Sequence, residues 1–180
     1  MATLIHLNGP SGVGKSTLAQ RYVDEHQGVL NLDIDRVVAM IGGWRDDFGA
    51  ALAPARRLAT AMAETHLRTG FDVVMPQLVT SVDEAVGFEA AAARAGARYL
   101  EIALVVDPDE QVTRFRARAT HNPVEEHIQQ YVDAKGGDLL LRRIHRHFTE
   151  YLGRRPLARR VETSGRSADS SYAAVLSIAN

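Results

Sequence analysis

Apolar positions along this chain follow two rhythms. Residues 3–8, TLIHLN, make a short, mostly apolar run readable as a buried strand, and KSTLAQRYVDEH after it carries Leu18, Ala19, Tyr22 and Val23 at helical spacing. GVLNLDID (28–35) reads as a second strand, APARRLATAMAETHLRTG (53–70) as a helix stopped by Gly70, and FDVVMPQLV (71–79) as a third strand. SVDEAVGFEAAAARAG (81–96) predicts a helix opened by an S-x-x-E capping box of Ser81 and Glu84, and RYLEIALVVD (98–107) is the most apolar strand candidate. DPDEQVTRFRARA starts a helix with Pro108 in its first turn, and GDLLLRRIHRHFTEYL (137–152) is a long amphipathic helix. LARRVETS and SADSSYAAVLSIA close the chain as strand and helix.

Strands alternating with helices, the strands almost continuously apolar, predict an α/β architecture in three layers: a five-stranded parallel sheet with helices on both faces. At 180 residues, with no linker or repeat, one domain spanning 1–180 is expected. In such a sheet ligands bind beyond the carboxyl ends of the strands, so the chemistry is to be sought there.

The first strand end carries GPSGVGKST (9–17), which fits G-x-x-x-x-G-K-[ST] with Gly9, Gly14, Lys15 and Ser16 in the fixed places. Strand, loop and helix occur in the order the motif needs. The expected nucleotide cradle is Gly9, Pro10, Ser11, Gly12, Val13, Gly14, Lys15, Ser16 and Thr17, with backbone N–H groups turned onto phosphates at a helix N-terminus. Lys15 adds charge for the β- and γ-phosphates of ATP, and the Ser16 hydroxyl ligates Mg²⁺. The chain has two lysines among its 21 Lys and Arg residues, and one is Lys15, where a compact ammonium is not readily replaced by a planar guanidinium.

The second strand ends in LDID. Two residues apart on a strand, Asp33 and Asp35 would send both carboxylates into the crevice, one toward Mg²⁺ and one toward the proton of an attacking hydroxyl. Asp35 also reads as a helix N-cap before RVVAMI.

Loop and aspartates together resemble the small P-loop kinases that include shikimate kinase, gluconate kinase, chloramphenicol phosphotransferase, the zeta toxins and the kinase domain of phage polynucleotide kinase. The resemblance is close over the first forty residues and beyond them follows only the order of elements. It implies Asp35 as catalytic base, Asp33 nearer the metal, and an arginine-bearing helical lid after the fourth strand, about 114–135. On the predicted helix Arg114 and Arg118, four apart, share a face and suit a phosphoryl group in transfer, whereas Arg116 points elsewhere. The resemblance also puts VETSGR (161–166) against the adenine base. Two departures stand out. Val38 occupies the place where polynucleotide kinase has a phosphate-reading arginine, with Arg36 expected to project differently, and the third strand ends in Met75, Pro76 and Gln77 without an acidic residue. The latter, with the short chain, argues against an AAA-type motor.

On the acceptor side, about 36–52, Trp44 and Phe48 are either core cover or an apolar wall for a substrate, and Gln77 faces the acceptor or merely solvates a strand end. A formal net charge of −1 argues against gripping long polyanions, the lack of cysteine excludes disulfides, thiolate sites and a Cys nucleophile, and no apolar run approaches a membrane span. The expectation is a cytoplasmic, monomeric or homodimeric ATP-dependent phosphotransferase acting on a hydroxyl of a small, largely uncharged molecule, an antibiotic or secondary metabolite among them. Its partners are ATP and that acceptor, with no membrane or nucleic acid. The rivals are a kinase of nucleoside or polynucleotide 5′-hydroxyls and a nucleotide-binding regulator with slow ATPase activity.

Overall fold

The first strand, β1 (Thr3–Asn8), is buried over its whole length, as a strand covered on both faces must be. It lies at the centre of the sheet in the computed structural model, which describes residues 1–120 and 122–180. The order is β2 (Leu30–Asn31), β3 (Val73–Pro76), β1, β4 (Arg98–Val105), β5 (Arg159–Glu162), and every pairing is parallel. The expected five-stranded parallel sheet is therefore present.

Helices cover both faces. On one, α1 (Lys15–Glu25) and α8 (Ala168–Ala179) place Leu18, Ala19, Tyr22, Tyr172 and Val175 against Ile5, Leu7, Val74 and Leu104. Each fully covered aliphatic side chain there contributes about 2 kcal/mol. On the other, α3 (Phe48–Leu67) presents Ala51, Ala55, Ala59 and Ala63 in a four-residue rhythm, with α4 (Val82–Arg94) and α7 (Asp138–Gly153) supplying Phe88, Phe148 and Tyr151. A third cluster joins α5 (Pro108–Ala117), α6 (Pro123–Ala134) and α7 through Val112, Phe115, Val132 and Leu141. No helix among the described residues is long and apolar enough to cross a membrane.

Four local readings change. The second strand is only two residues long, and the chain turns at Asp33 into the short helix α2 (Ile34–Val38), so Asp33 and Asp35 do not share a strand face. The capping box at Ser81 does not close: Ser81 makes no side-chain cap bond, and the Glu84 carboxylate lies 2.7 Å from Arg56 on α3, an opposite charge in a half-buried groove. The helix expected from 53 begins at Phe48, capped by Asp47 onto the Ala50 N–H at 2.9 Å, and continues through Pro54 despite the donor that proline lacks. The helix α5 ends at Ala117, leaving Arg118 in extended backbone, and α6 follows within the stretch expected as lid. Residue 121 of that stretch lies outside the described residues.

Two polar side chains of β1 extend the sheet's hold beyond β3. The His6 Nε2–H donates to the Gln77 carbonyl at 2.9 Å, which leaves Nδ1 to accept the Tyr99 hydroxyl at 2.7 Å. Burial pushes this imidazole down to about 4, so it is neutral at physiological pH. Asn8 holds both the N–H and the C=O of Val79 through its side-chain amide, at 2.9 and 3.0 Å. Residues 77–79 are thus fixed at the mouth of the sheet.

Candidate active site

The β1–α1 connection wraps a cavity of about 300 Å³ lined by Ser11, Gly12, Gly14, Lys15, Ser16 and Thr17. Gly14 is the N-cap of α1 in left-handed backbone (φ 99°), and the first turn holds no acidic residue and no side-chain cap, so the leading N–H groups face the cavity unspent. Lys15 Nζ donates to the carbonyls of Gly9 at 2.7 Å and Pro10 at 3.0 Å. Burial lowers its ammonium to about 8, opposed by Asp35 and Asp33.

Opposite the loop stands Asp35. Burial and then the neighbouring Asp33 raise its carboxyl to about 6, against the pull of Lys15, Arg118 and Arg56. A carboxylate held there is a better proton acceptor than a free one and is still ionised at neutral pH. Asp33 caps α2: its carboxylate accepts the Asp35 N–H at 3.0 Å, and burial raises it as well. The pair is brought to one side of the cavity by a helix start rather than a strand, and both carboxylates line a narrow passage of about 50 Å³ with Ser16.

Both expected arginines line the main cavity, for different reasons. Arg118, just past α5, lies with its guanidinium 4.7 Å from the Phe115 ring, and its Nε and one terminal nitrogen are buried without a hydrogen-bond partner. Arg114 is already engaged, donating to Glu110 at 2.5 Å and to the Thr163 carbonyl at 2.7 Å. Arg116 pairs with Asp133 and Asp138, tying α5 to α6 and α7. Gln77 reaches the cavity with Pro76 and Leu78.

A second cleft of about 400 Å³ opens on the other side of the loop, bordered by Thr17, Arg114, Arg166, Ala168 and Ser171. Of the segment expected beside a base, Thr163, Ser164 and Gly165 are hydrogen-bonded to Val105, Asp107 and Glu110, and Arg166 lines the cleft.

Of the two readings of Trp44 and Phe48, their contacts favour core cover. Trp44 is 5% exposed, with Arg45 over its ring at 4.5 Å and His127 of α6 against its edge. Phe48 stacks on the same His127. Val38 is buried, whereas Arg36 borders the passage beside Asp35. Sequence reading passed over Glu125 and Asn122 and expected Arg36 to project differently; all three line that passage. The helix carrying Glu125 had a start signal in Asn122-Pro123 followed by Glu125 and Glu126: Asn122 accepts the N–H groups of Val124 and Glu125 at 3.0 Å.

Unpartnered donors on Arg118, a free helix start and a buried ammonium fit a polyphosphate. A metal has no cage of its own here: among the described residues no group of three or more His, Cys, Asp or Glu side chains could hold one. Ser16 and Asp33 suit Mg²⁺, which usually takes one or two protein oxygens together with phosphates and water.

Residues 4–135 match the sequence model of a family described as AAA domain, and the chain belongs to that family. No curated protein matches the sequence. The fold is shared with the tunicamycin resistance protein of Deinococcus radiodurans (13% identity, TM-score 0.62, covering 98% of this chain and 95% of that one). It is shared equally with shikimate kinase of Bacteroides thetaiotaomicron (16% identity, TM-score 0.61, covering 99% and 98%). The fold is that of small P-loop kinases, as the sequence resemblance implied.

Proposed function

We propose that this AAA-domain family member is an ATP-dependent phosphotransferase that moves the γ-phosphoryl group to a hydroxyl of a small molecule, antibiotics and secondary metabolites among the candidates. The observation that carries the reading is Asp35, a carboxyl raised to about 6, sharing one cavity with Lys15 and the unspent donors of Arg118.

In this reading the loop backbone and Lys15 hold the β- and γ-phosphates of ATP, and Ser16 with Asp33 hold Mg²⁺. The metal, when bound, neutralises charge on the departing diphosphate. Asp35 takes the acceptor's hydroxyl proton as its oxygen bonds to the γ-phosphorus; the bond to the bridging oxygen breaks and ADP leaves with the electron pair. Arg118 and then Arg114 balance the charge on the equatorial oxygens, and Gln77 orients the acceptor. Residues 114–135 act as a lid over the nucleotide, and 1–180 work as one domain in the cytoplasm. Positioning and electrostatics supply the rate enhancement.

The test is ADP release screened against hydroxylated metabolites, sugars, nucleosides and antibiotics. Acceptor-dependent release with a phosphorylated product supports the reading. Slow release unaffected by every acceptor favours the regulator.

A further inference from the structure

Next to the narrow passage at Asp35 lies a separate cleft of about 460 Å³, bordered by Arg36, Trp44, Arg45 and the start of α6 from Asn122 to Val124. Passage and cleft share Arg36, Asn122 and Val124, so the two lie side by side, the base in one and two guanidinium groups at the other. The carboxylates Asp33, Asp35 and Glu125 stand in the passage, and none borders the cleft.

Several arginines elsewhere in the molecule are spent on carboxylates: Arg56 with Glu84, Arg114 with Glu110, Arg116 with Asp133 and Asp138, Arg155 with Glu89 and Glu101. Neither Arg36 nor Arg45 forms an ion pair among the described residues. Arg45 is held over the Trp44 ring at 4.5 Å, a contact that fixes the plane of the guanidinium and leaves its edge donors free. The indole is itself almost fully covered, so the cleft shows a substrate cations and not a bare aromatic face. Its volume suits part of a small molecule.

We propose that this cleft is an anion subsite of the acceptor: the substrate carries, besides the reacting hydroxyl, a carboxylate or phosphate group that Arg36 and Arg45 hold. The inference rests on the phosphotransferase reading and replaces the expectation of an uncharged alcohol. Arg36 lines the passage together with Asp35, so hydroxyl and anion belong to one compact molecule. Arg36 and Arg45 then decide which alcohol is used, while Asp35 acts on any hydroxyl that reaches it.

Two measurements separate this subsite from the reaction. In the first, benzylphosphonate, benzoate and benzyl alcohol are bound by calorimetry to protein saturated with ADP and Mg²⁺, which blocks the phosphate loop. The anions bind about tenfold tighter or more than the alcohol, the size of a charge-assisted contact, and the preference disappears in the Arg36→Gln, Arg45→Gln double variant. ADP affinity, measured alongside, reports whether the variant keeps its fold. Equal binding of the three probes, or a preference that survives the double substitution, overturns the subsite.

In the second, matched acceptors are compared for phosphate transfer: 4-(hydroxymethyl)benzoate with benzyl alcohol, and glycerol 3-phosphate with glycerol. A higher kcat/KM for the charged members, lost through KM in the variant, supports the proposal, and the two pairs tell carboxylate from phosphate. Equal use of charged and neutral members sinks the subsite and leaves the kinase reading standing. Anion binding through Arg36 and Arg45 with no transfer to any acceptor does the reverse.

Discussion

The carboxylate of Asp33 accepts the backbone N–H of Asp35 at 3.0 Å, so one aspartate fixes the helix start that carries the other. Their two-residue spacing reflects a cap and the second helical position. The geometry makes Asp33 serve twice, once as cap and once as a carboxylate beside Ser16.

Those two duties separate on substitution. Asp33→Asn keeps a capping oxygen and is expected to unfold near the wild-type temperature while needing far more Mg²⁺ for activity. Asp33→Ala loses the cap too, at a cost of about 1 kcal/mol. Thermal melts and Mg²⁺ titrations of both variants check this; an unchanged Mg²⁺ requirement in Asp33→Asn removes the metal role.

Asp35 governs the low-pH side. Its carboxyl is raised from 3.8 to about 6, so kcat/KM rises as pH passes upward through about 6, and Asp35→Asn lowers kcat by orders of magnitude with nucleotide affinity kept. Stability moves the other way. The folded protein binds this proton more tightly than the unfolded chain does, so stability falls between pH 3.8 and about 6 and stays reduced above. Asp35→Asn should therefore melt higher at pH 7.5 and nearly equally at pH 3.5. The gain is at most about 3 kcal/mol, less whatever solvent screening the half-buried group retains. A variant less stable at pH 7.5 contradicts it.

The sheet and the phosphate loop were legible because each is local: apolar runs have a period, and the loop's glycines and lysine are contiguous. The environment of Asp35 was not, because LDID suits both a strand end and a helix cap, and only the turn at Asp33 decides between them. Arg114 and Arg118 were named on helical spacing, yet Arg118 lies outside the helix and reaches the cavity from extended backbone. Trp44 and Phe48 read equally as core cover or as a substrate wall, because their contact with His127 is made more than 75 residues away in sequence. The exposure of Arg36 depends on how α2 is seated, which no local pattern encodes.

Lys15 sets the high-pH side. In the free protein its ammonium is lowered to about 8, so kcat/KM for ATP falls as pH rises through about 8. Bound phosphates favour the charged form, so kcat holds to higher pH than kcat/KM does. Lys15→Ala should abolish transfer; full activity in that variant would falsify the loop assignment.

Arg118 and Arg114 are expected to fail differently. Arg118 keeps two donors without partners, so Arg118→Ala lowers kcat by about 100-fold, the cost of one charge-stabilising group, with little loss of stability. Arg114 links α5 to the loop after β5 through the Thr163 carbonyl, so Arg114→Ala raises KM for ATP and lowers the melting temperature. Steady-state kinetics beside thermal melts make the comparison, and identical profiles for the two variants are incompatible with it.

Gly12 occupies a variable place in the motif but a tight one in the fold. Its φ is +90°, and a Cβ there would lie 3.0 Å from both the Gln111 carbonyl and the Phe115 nitrogen, backbone atoms of α5. Left-handed backbone costs a non-glycine residue about 1–2 kcal/mol. The clash adds to this by pushing away the helix that bears Arg114 and leads into Arg118. Gly14 has φ +99° with nothing within 4 Å of a Cβ, so Gly14→Ala meets the backbone strain without the displacement. Gly12→Ala is therefore expected to melt lower than Gly14→Ala and to lose more of the transfer rate at saturating ATP, because the arginines move with α5. Melting curves and kcat of the two alanine variants decide it: if Gly12→Ala is no worse than Gly14→Ala in either, the loop and α5 are not coupled through this contact.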